Sequence, residues 1–365
     1  MKNLLIAILA ALCCTTTSAQ KFVGADISLL PTYEEQNVAF MDSAGNKVDV
    51  LNFLKQEGWN AIRLRVFVNP EYASQQAKDE GVFQSLQYTT KLAKRVKELG
   101  MKLMIDFHYS DKWADPGQQS IPRHWAQLGA QQLIDTMYSY TKDCLLYLKQ
   151  NGAEPDLIQV GNEITYGMLW PMGKVTLDGN TGKEQWALLT SMIKSGSRAC
   201  REICPEAKII IHIERAGEPE KCQLFYDMMN EFHVDYDIIG LSYYPMWHKN
   251  LQNLDNTLSM LENRYPDKDI MIVETAYFYT EHKTWPGDED TSKDYPYTPQ
   301  GQKKYTLSLI DVLKKHDKVN GLFWWCAEEN CYNNNVLKTR MNRGLWNNDT
   351  GRALPALYSL REFNS

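Results

Sequence analysis

The chain has 365 residues, of which 44% are apolar, 11% aromatic and 23% charged. This is the composition of a folded globular protein, and it excludes a disordered, collagen-like or coiled-coil chain. The net charge is −6 and basic residues form no long run, so the chain is not expected to bind nucleic acid. The 10 Trp and 20 Tyr residues either fill a large core or form faces on which sugar rings stack.

The first 19 residues have the pattern of a signal peptide that is removed from the mature protein. Lys2 supplies the positive start, an apolar run covers 4–14, and the small residues Ser18 and Ala19 precede the expected cleavage before Gln20. The apolar run is shorter than the roughly 20 residues that span a bilayer. We therefore expect an exported protein, either secreted, periplasmic or at the cell surface. Cys13 and Cys14 leave a lipid-anchored form as the alternative.

Six further cysteines leave the disulfide pairing open, because six cysteines allow 15 complete pairings. They are Cys144, Cys200, Cys204, Cys222, Cys326 and Cys331. Cys326 and Cys331 are close enough in sequence to close a short loop, and export would permit disulfides. Cys200 and Cys204 lack the nearby histidines of a zinc site, and no metal ligand set is predicted there.

Short apolar strands alternate with amphipathic helices along the whole chain. The predicted strands are 22–26, 59–68, 102–108, 157–163, 208–213, 237–243, 269–274 and 320–326. The predicted helices are 85–99, 131–150, 183–203, 251–265 and 300–316. Eight alternating strands without a linker or repeat predict a single α/β domain, a (β/α)8 barrel over residues 20–365. A doubly wound open sheet is the alternative, but no glycine-rich phosphate turn follows the first strand.

All eight predicted strands have polar residues at their C-terminal ends, where the active sites of such barrels lie. Among them, Glu163 and Glu274 stand at the ends of strands 4 and 7 and should face each other across the mouth. Cleavage of a glycosidic bond needs one carboxylic acid to protonate the leaving oxygen and one carboxylate at the anomeric carbon. The pair therefore indicates a glycoside hydrolase.

Four other strand-end residues suit the same chemistry. Asn162 is a suitable donor to a sugar 2-hydroxyl. Arg63 can keep one carboxylate ionised through charge-assisted hydrogen bonds, and Tyr244 can donate to the same group. Trp325 offers an apolar face to the sugar that is cleaved.

Longer segments resemble the family 53 glycoside hydrolases of clan A, the arabinogalactan endo-β-1,4-galactanases. The matching segments are GADIS at 24–28, NAIRLRVFVNP at 60–70, DFHYSDKWADP at 106–116, VGNEI at 160–164, LWP at 169–171 and LSYYP at 241–245. The resemblance extends from about Phe22 to the C-terminus. It implies a (β/α)8 barrel that hydrolyses β-1,4-galactosidic linkages in the galactan side chains of pectin, with retention of configuration.

The resemblance also implies roles for individual residues. Glu163 would be the acid/base and Glu274 the nucleophile. The residues implied to line the subsite of cleavage are Arg63, His108, Asn162, His212, Tyr244 and Trp325. Substrate contacts are also expected for Asp26, Asp111 and Trp113. For Trp113 the alternative is packing under its loop, and for His212 it is a structural hydrogen bond.

No cofactor is expected to be required, although bacterial relatives often hold calcium in the loop after strand 7. In that loop Asp288, Glu289 and Asp290 offer oxygen ligands, but a solvated acidic loop explains them equally well. The segment CAEENC at 326–331 also differs from the family pattern.

The expected partner is a polysaccharide, β-1,4-galactan, acted on by a monomer. Two alternatives remain at this point. One is a clan A enzyme that cuts mannan or cellulose by the same mechanism. The other is a carbohydrate-binding barrel without catalysis, which the presence of both glutamates disfavours.

Overall fold

Eight parallel strands close into a barrel in the computed structural model, which describes residues 20–281, 288–338 and 340–365. The strands are Phe22–Asp26 (β1), Ala61–Val66 (β2), Lys102–Phe107 (β3), Leu157–Val160 (β4), Lys208–Ile213 (β5), Ile238–Ser242 (β6), Asp269–Thr275 (β7) and Val319–Trp324 (β8). They follow chain order around the barrel, and β1 pairs with both β2 and β8. The predicted fold class is confirmed. The predicted signal peptide, 1–19, lies outside the described residues.

Helices connect the strands on the outside of the barrel. They are Leu30–Glu35 (α1), Val50–Gln56 (α2), Gln75–Asp79 (α3), Leu86–Glu98 (α4), Ala130–Gln150 (α5), Lys183–Ile203 (α6), Pro219–Glu231 (α7), Leu251–Arg264 (α8), Pro299–Leu313 (α9) and Pro355–Ser359 (α10). A short antiparallel hairpin of Gly167–Met168 and Gly173–Lys174 lies between β4 and α6.

Local signals explain where α4 begins and ends. The Ser85 side chain accepts a hydrogen bond from the backbone N–H of Tyr88, which caps the first turn. Leu92 and Val96 are buried against the barrel, as their spacing predicts. Gly100 follows the helix with a φ of 68° and stops it.

Helix α7 was not predicted from the sequence, although its pattern is amphipathic. Pro219 occupies the first turn, where a missing N–H costs nothing. Cys222, Phe225, Tyr226 and Met229 are buried at the spacing of one helix face. The helix completes the alternation between β5 and β6.

A compact layer of apolar side chains fills the barrel interior. Seven of the eight strands contribute to it; its buried members are Ala61, Met104, Leu157, Ile210, Ile238, Met271, Val273 and Phe323. Burying such side chains stabilises the fold by about 25 cal/mol for each Å² of apolar surface removed from water. The interior is therefore a packed core.

Strand register brings polar side chains together at the C-terminal end of the barrel. Asp26 of β1 pairs in register with Arg63 of β2, and Arg65 pairs with Asp106 of β3. On the other side, Ser242 of β6 is in register with Glu274 of β7. Residues far apart in sequence thus become neighbours.

The six cysteines of the described chain are free thiols, and all are buried. The short disulfide considered between Cys326 and Cys331 is not formed. Within the described ranges we find no helix with the length and apolar character needed to cross a membrane.

Candidate active site

Glu163 lies in a sharp turn that directly follows β4. Gly161 has a φ of 89° and Glu163 a φ of 46°, so both adopt left-handed backbone conformations. A Cβ atom on Gly161 would lie 2.7 Å from Cγ2 of Ile164, a clash that only glycine avoids. A left-handed conformation costs a residue such as Glu163 free energy, and such conformations concentrate at functional sites. Here the turn places the Glu163 side chain on the wall of the cavity.

Glu274, near the end of β7, is held by two side chains. Its Oε1 forms an ion pair of 2.8 Å with Nη2 of Arg63. Its Oε2 accepts a hydrogen bond of 3.0 Å from the Tyr244 hydroxyl. Burial raises the pKa of Glu274, and the Arg63 guanidinium opposes that rise. Both contacts expected for one of the glutamates are present here.

Glu163 has a different environment. Its Oε1 accepts a hydrogen bond of 2.7 Å from the Ser242 hydroxyl. Burial raises the pKa of Glu163 well above its usual value, and the negative charge of Glu274 raises it further. Among the described residues, Glu274 has an arginine partner and Glu163 has none. When the pair carries one proton, that proton therefore resides on Glu163.

His212 orients the group that touches Glu163. Its Nε2 lies 2.8 Å from the Ser242 hydroxyl, and its Nδ1 accepts from the backbone N–H of Glu163 at 3.3 Å. An accepting Nδ1 assigns the ring proton to Nε2, which donates it to Ser242. Burial and the charge of Arg63 lower the pKa of His212 well below its usual value, so the ring is neutral. This geometry matches the structural alternative considered for His212.

Arg63 links Glu274 to two buried carboxylates. Its Nη1 pairs with Asp26 at 3.1 Å, and its Nη2 pairs with Asp106 at 2.8 Å. Nη2 also donates to Oδ1 of Asn162 at 2.9 Å. Burial disfavours the charge of Arg63, but the surrounding carboxylates raise its pKa above the usual value. The guanidinium therefore stays cationic beside Glu274.

The loop after β3 fixes two predicted site residues through the backbone of Ala114. The Ala114 N–H donates to Nδ1 of His108 at 3.1 Å, and the Asn162 amide donates to the Ala114 carbonyl at 2.8 Å. With Nδ1 accepting, Nε2 of His108 donates to Asp106 at 3.0 Å. Both side chains are thus held in one orientation beside the two glutamates.

A cavity of about 320 Å³ opens above these groups. Most of the predicted site residues line it: Arg63, His108, Trp113, Asn162, Glu163, Tyr244, Glu274 and Trp325. The size suits a small number of sugar units within a cleft.

Three predicted substrate contacts do not reach the cavity wall. Asp26 is fully buried beneath the two arginines of β2. Asp111 accepts hydrogen bonds from the backbone N–H groups of Asn69 and Arg123, at 3.0 and 2.7 Å, and so organises two loops. His212 lies behind Glu163, as described above.

Aromatic side chains form one wall of the cavity. Trp113 and Trp325 lie with ring centroids 6.2 Å apart. Trp113 also packs on Phe67, and its ring lies 4.6 Å from the Arg65 guanidinium, so it both packs under its loop and faces the cavity. Trp247 is 47% exposed and extends the wall.

Seven residues of the wall were not predicted from the sequence: Arg65, Glu80, Ala114, Asp115, Trp247, Met341 and Arg343. Arg65 was detectable, because residues two apart on a strand face the same side. Met341 and Arg343 lie in an irregular segment after β8, where no sequence pattern indicates contact with the site.

In the described part of the loop after β7, Asp288 and Asp290 contact neighbouring protein groups. Asp288 accepts a hydrogen bond from the Trp247 indole, and Asp290 accepts from the backbone and hydroxyl of Ser292. Across the described residues we find no group of three or more His, Cys, Asp or Glu side chains that could hold a metal ion. Residues 282–287 of this loop are outside the described ranges.

The barrel, its open cavity and the two unlike glutamates define a glycoside hydrolase. The family model described as glycosyl hydrolase family 53 matches residues 22–360. The chain belongs to this family, and the predicted resemblance is confirmed.

Relatives and a solved structure agree with this assignment. The chain is 32% identical over 308 residues to an endo-β-1,4-galactanase of Bacillus subtilis, covering 83% of this chain and 68% of the relative. It is 32% identical over 315 residues to an arabinogalactan endo-β-1,4-galactanase of Cellvibrio japonicus, covering 83% and 79%. The family 53 catalytic domain of Ignisphaera aggregans superposes with a TM-score of 0.83 at 33% identity, covering 94% of this chain and 96% of that domain.

Proposed function

We propose that this chain is an endo-acting β-1,4-galactanase that cuts the galactan side chains of pectin. The observation that carries the proposal is the pair of glutamates in unlike environments within an aromatic-walled cavity. Family membership and the galactanase names of the relatives support galactan as the substrate.

The two environments suit a double displacement. Glu274, beside the Arg63 cation, attacks the anomeric carbon while Glu163 protonates the departing oxygen. Glu163 then takes a proton from the water that releases the covalent sugar. The raised pKa of Glu163 keeps it protonated for the first step, which general acid catalysis requires.

A side-by-side assay of linear β-1,4-galactan, mannan and soluble cellulose tests the proposed function. We expect rapid loss of viscosity from galactan, with short oligosaccharides appearing early, because an endo enzyme cuts within the polymer. Faster hydrolysis of mannan or cellulose would contradict the substrate. Release of galactose alone, with viscosity maintained, would contradict the endo mode.

Trp325→Ala tests the aromatic wall. Because Trp325 lines the cavity beside Trp113, its loss should weaken sugar stacking by about 1–3 kcal/mol and raise KM for galactan accordingly. Trp346 is fully buried and lies outside the cavity wall, so Trp346→Ala provides the matched control. The control should lower the melting temperature without a comparable rise in KM for the folded protein. If Trp325→Ala instead lowers the melting temperature without raising KM, Trp325 contributes to core packing and not to sugar binding.

We further propose that the enzyme is exported after cleavage before Gln20. Lys2, the apolar run at 4–14 and the small residues before Gln20 support this route. Mass spectrometry of the mature protein should find Gln20 at the N-terminus and no lipid. Acyl chains on Cys13 or Cys14 would instead show lipid anchoring.

A further inference from the structure

A buried carboxylate holds the segment of residues 341–344, which forms part of the cavity wall. Glu329 is 2% exposed. Its Oε1 accepts from the backbone N–H groups of Met341 and Asn342 at 2.6 and 2.9 Å. Its Oε2 accepts from those of Arg343 and Gly344 at 3.1 and 3.2 Å. Four successive N–H groups thus converge on one charged side chain, and such charge-assisted hydrogen bonds are the stronger kind.

The carbonyl groups of the same segment are fixed as well. The Trp324 indole donates to the Arg343 carbonyl at 2.8 Å, and the Gln302 amide donates to the Gly344 carbonyl at 3.0 Å. A Cβ on Gly344 would lie 2.7 Å from Cβ of Glu329, so the close approach of segment and carboxylate requires glycine. The segment is therefore held in a single conformation from both sides.

This conformation places the Arg343 guanidinium among aromatic rings. It lies 5.2 Å from the ring centroids of both Trp247 and Trp325, and 5.8 Å from that of Tyr244. These distances are those of cation–π contacts, which hold the guanidinium without using its N–H groups. Arg343 also lines the cavity that contains both glutamates.

The guanidinium of Arg343 forms no hydrogen bond or ion pair with the described part of the chain. Its Nε atom is buried and has no hydrogen-bond partner, and the described residues provide no carboxylate within ion-pair distance. By contrast, Arg63 forms ion pairs with three carboxylates, and Arg65 pairs with Asp26 although its buried Nη2 has no partner. A guanidinium without protein partners on the wall of the cavity can donate hydrogen bonds to a bound sugar hydroxyl.

We propose that Arg343 is a substrate-binding residue that donates hydrogen bonds to the hydroxyls of a galactosyl unit, and that Glu329 is the residue that positions it. The inference rests on the proposed function, since it takes galactan as the ligand. Guanidinium presents several donors in one plane, and a sugar in the aromatic-walled cavity presents hydroxyls around its edge. The segment at 326–331, which departs from the family pattern, thereby acquires a role in shaping the cleft.

The test compares Arg343→Met, Glu329→Gln and the double variant. Methionine retains an apolar side chain beside the rings but removes every donor. Glutamine keeps the size of Glu329 but loses the charge and one acceptor oxygen. We expect Arg343→Met to raise KM for galactan about tenfold or more, with kcat within about threefold of the original. Glu329→Gln should raise KM in the same direction, and the double variant should bind no worse than Arg343→Met.

Calorimetry with β-1,4-galactotetraose, in a Glu274→Gln background that does not turn over, measures binding directly. The dissociation constant should rise by the same factor as KM. If Arg343→Met binds the tetraose as tightly as the Glu274→Gln background does, the proposal is overturned, even if Glu329→Gln fails to fold. Additive effects in the double variant would overturn the positioning role of Glu329. If the original enzyme does not cleave galactan, the proposed function is wrong, and so is the assignment of a galactosyl unit as the ligand. If the original enzyme cleaves galactan but Arg343→Met does not change binding, only the inference about Arg343 is wrong.

Discussion

Glu274→Ala should lower kcat on galactan by about 10⁴-fold or more, because loss of a nucleophile removes the covalent route altogether. The carboxylate it removes is the one held by Arg63 at 2.8 Å and by Tyr244 at 3.0 Å. An aryl β-galactoside with a good leaving group should not restore activity, since the missing step is attack and not protonation. Circular dichroism and the melting temperature establish that the variant is folded.

Azide distinguishes the two glutamates. In Glu274→Ala, azide occupies the space of the lost carboxylate, attacks the anomeric carbon once and yields an α-galactosyl azide. Glu163→Ala is the matched control, and its loss on galactan should be about 10²- to 10⁴-fold. On an aryl substrate that needs no acid, Glu163→Ala should still form the glycosyl-enzyme, and azide should then give the β-product. If Glu274→Ala gives the β-product and Glu163→Ala gives the α-product, the two roles are reversed.

The original enzyme should release the β-anomer first. Retaining glycosidases hold their carboxyl groups about 5–5.5 Å apart, whereas inverting ones need roughly 6.5–9.5 Å to admit a water. Proton NMR early in hydrolysis records the first anomer before mutarotation. If the α-anomer appears first, the enzyme inverts and Glu274 acts as a base.

The barrel was predictable because every strand is short, apolar and followed by a helix or a polar loop. The predicted bounds of β1 and β5 agree with the structure, and the differences elsewhere occur at strand ends. Residues 161–163 were predicted as the end of strand 4, but the left-handed φ of Gly161 ends β4 at Val160.

The site was predictable where it lies on strand ends and unpredictable where distant segments meet. Arg63 and Glu274 lie on β2 and β7, whereas Glu163 and Tyr244 follow β4 and β6. The closed barrel brings these four residues to one cavity. Arg343 lies 19 residues beyond the end of β8, and its approach to Trp325 depends on buried hydrogen bonds that no local pattern encodes. The sequence alone does not distinguish a carboxylate that faces the substrate from one that, like Asp26, forms a buried ion pair with an arginine.

Arg63→Met should lower the free energy of unfolding by about 3–5 kcal/mol at pH 7, because it leaves buried carboxylates without their cation. Asp106 and Glu274 lose their arginine partner, whereas Asp26 keeps Arg65. Arg95→Met is the matched control. Arg95 pairs with Glu34 at 2.6 Å, but both side chains are about one third exposed, so its loss should cost about 1 kcal/mol or less. Urea unfolding of the three proteins measures the difference.

The pH dependence of that loss identifies its cause. In the original chain, burial raises the pKa of Asp106, but the Arg63 cation and other neighbours lower it by more. The pKa of Asp106 therefore lies below its usual value. Ionised Asp106 therefore stabilises the fold above its unfolded pKa, and this contribution disappears as the pH falls through the lowered pKa. In Arg63→Met, burial without the cation raises the folded-state pKa values above the unfolded ones, so the folded variant binds more protons and loses stability as the pH rises. The difference in free energy of unfolding between the two proteins should become smaller from pH 7 to pH 4. A difference that stays constant would mean that Arg63 stabilises the barrel by packing and not by charge.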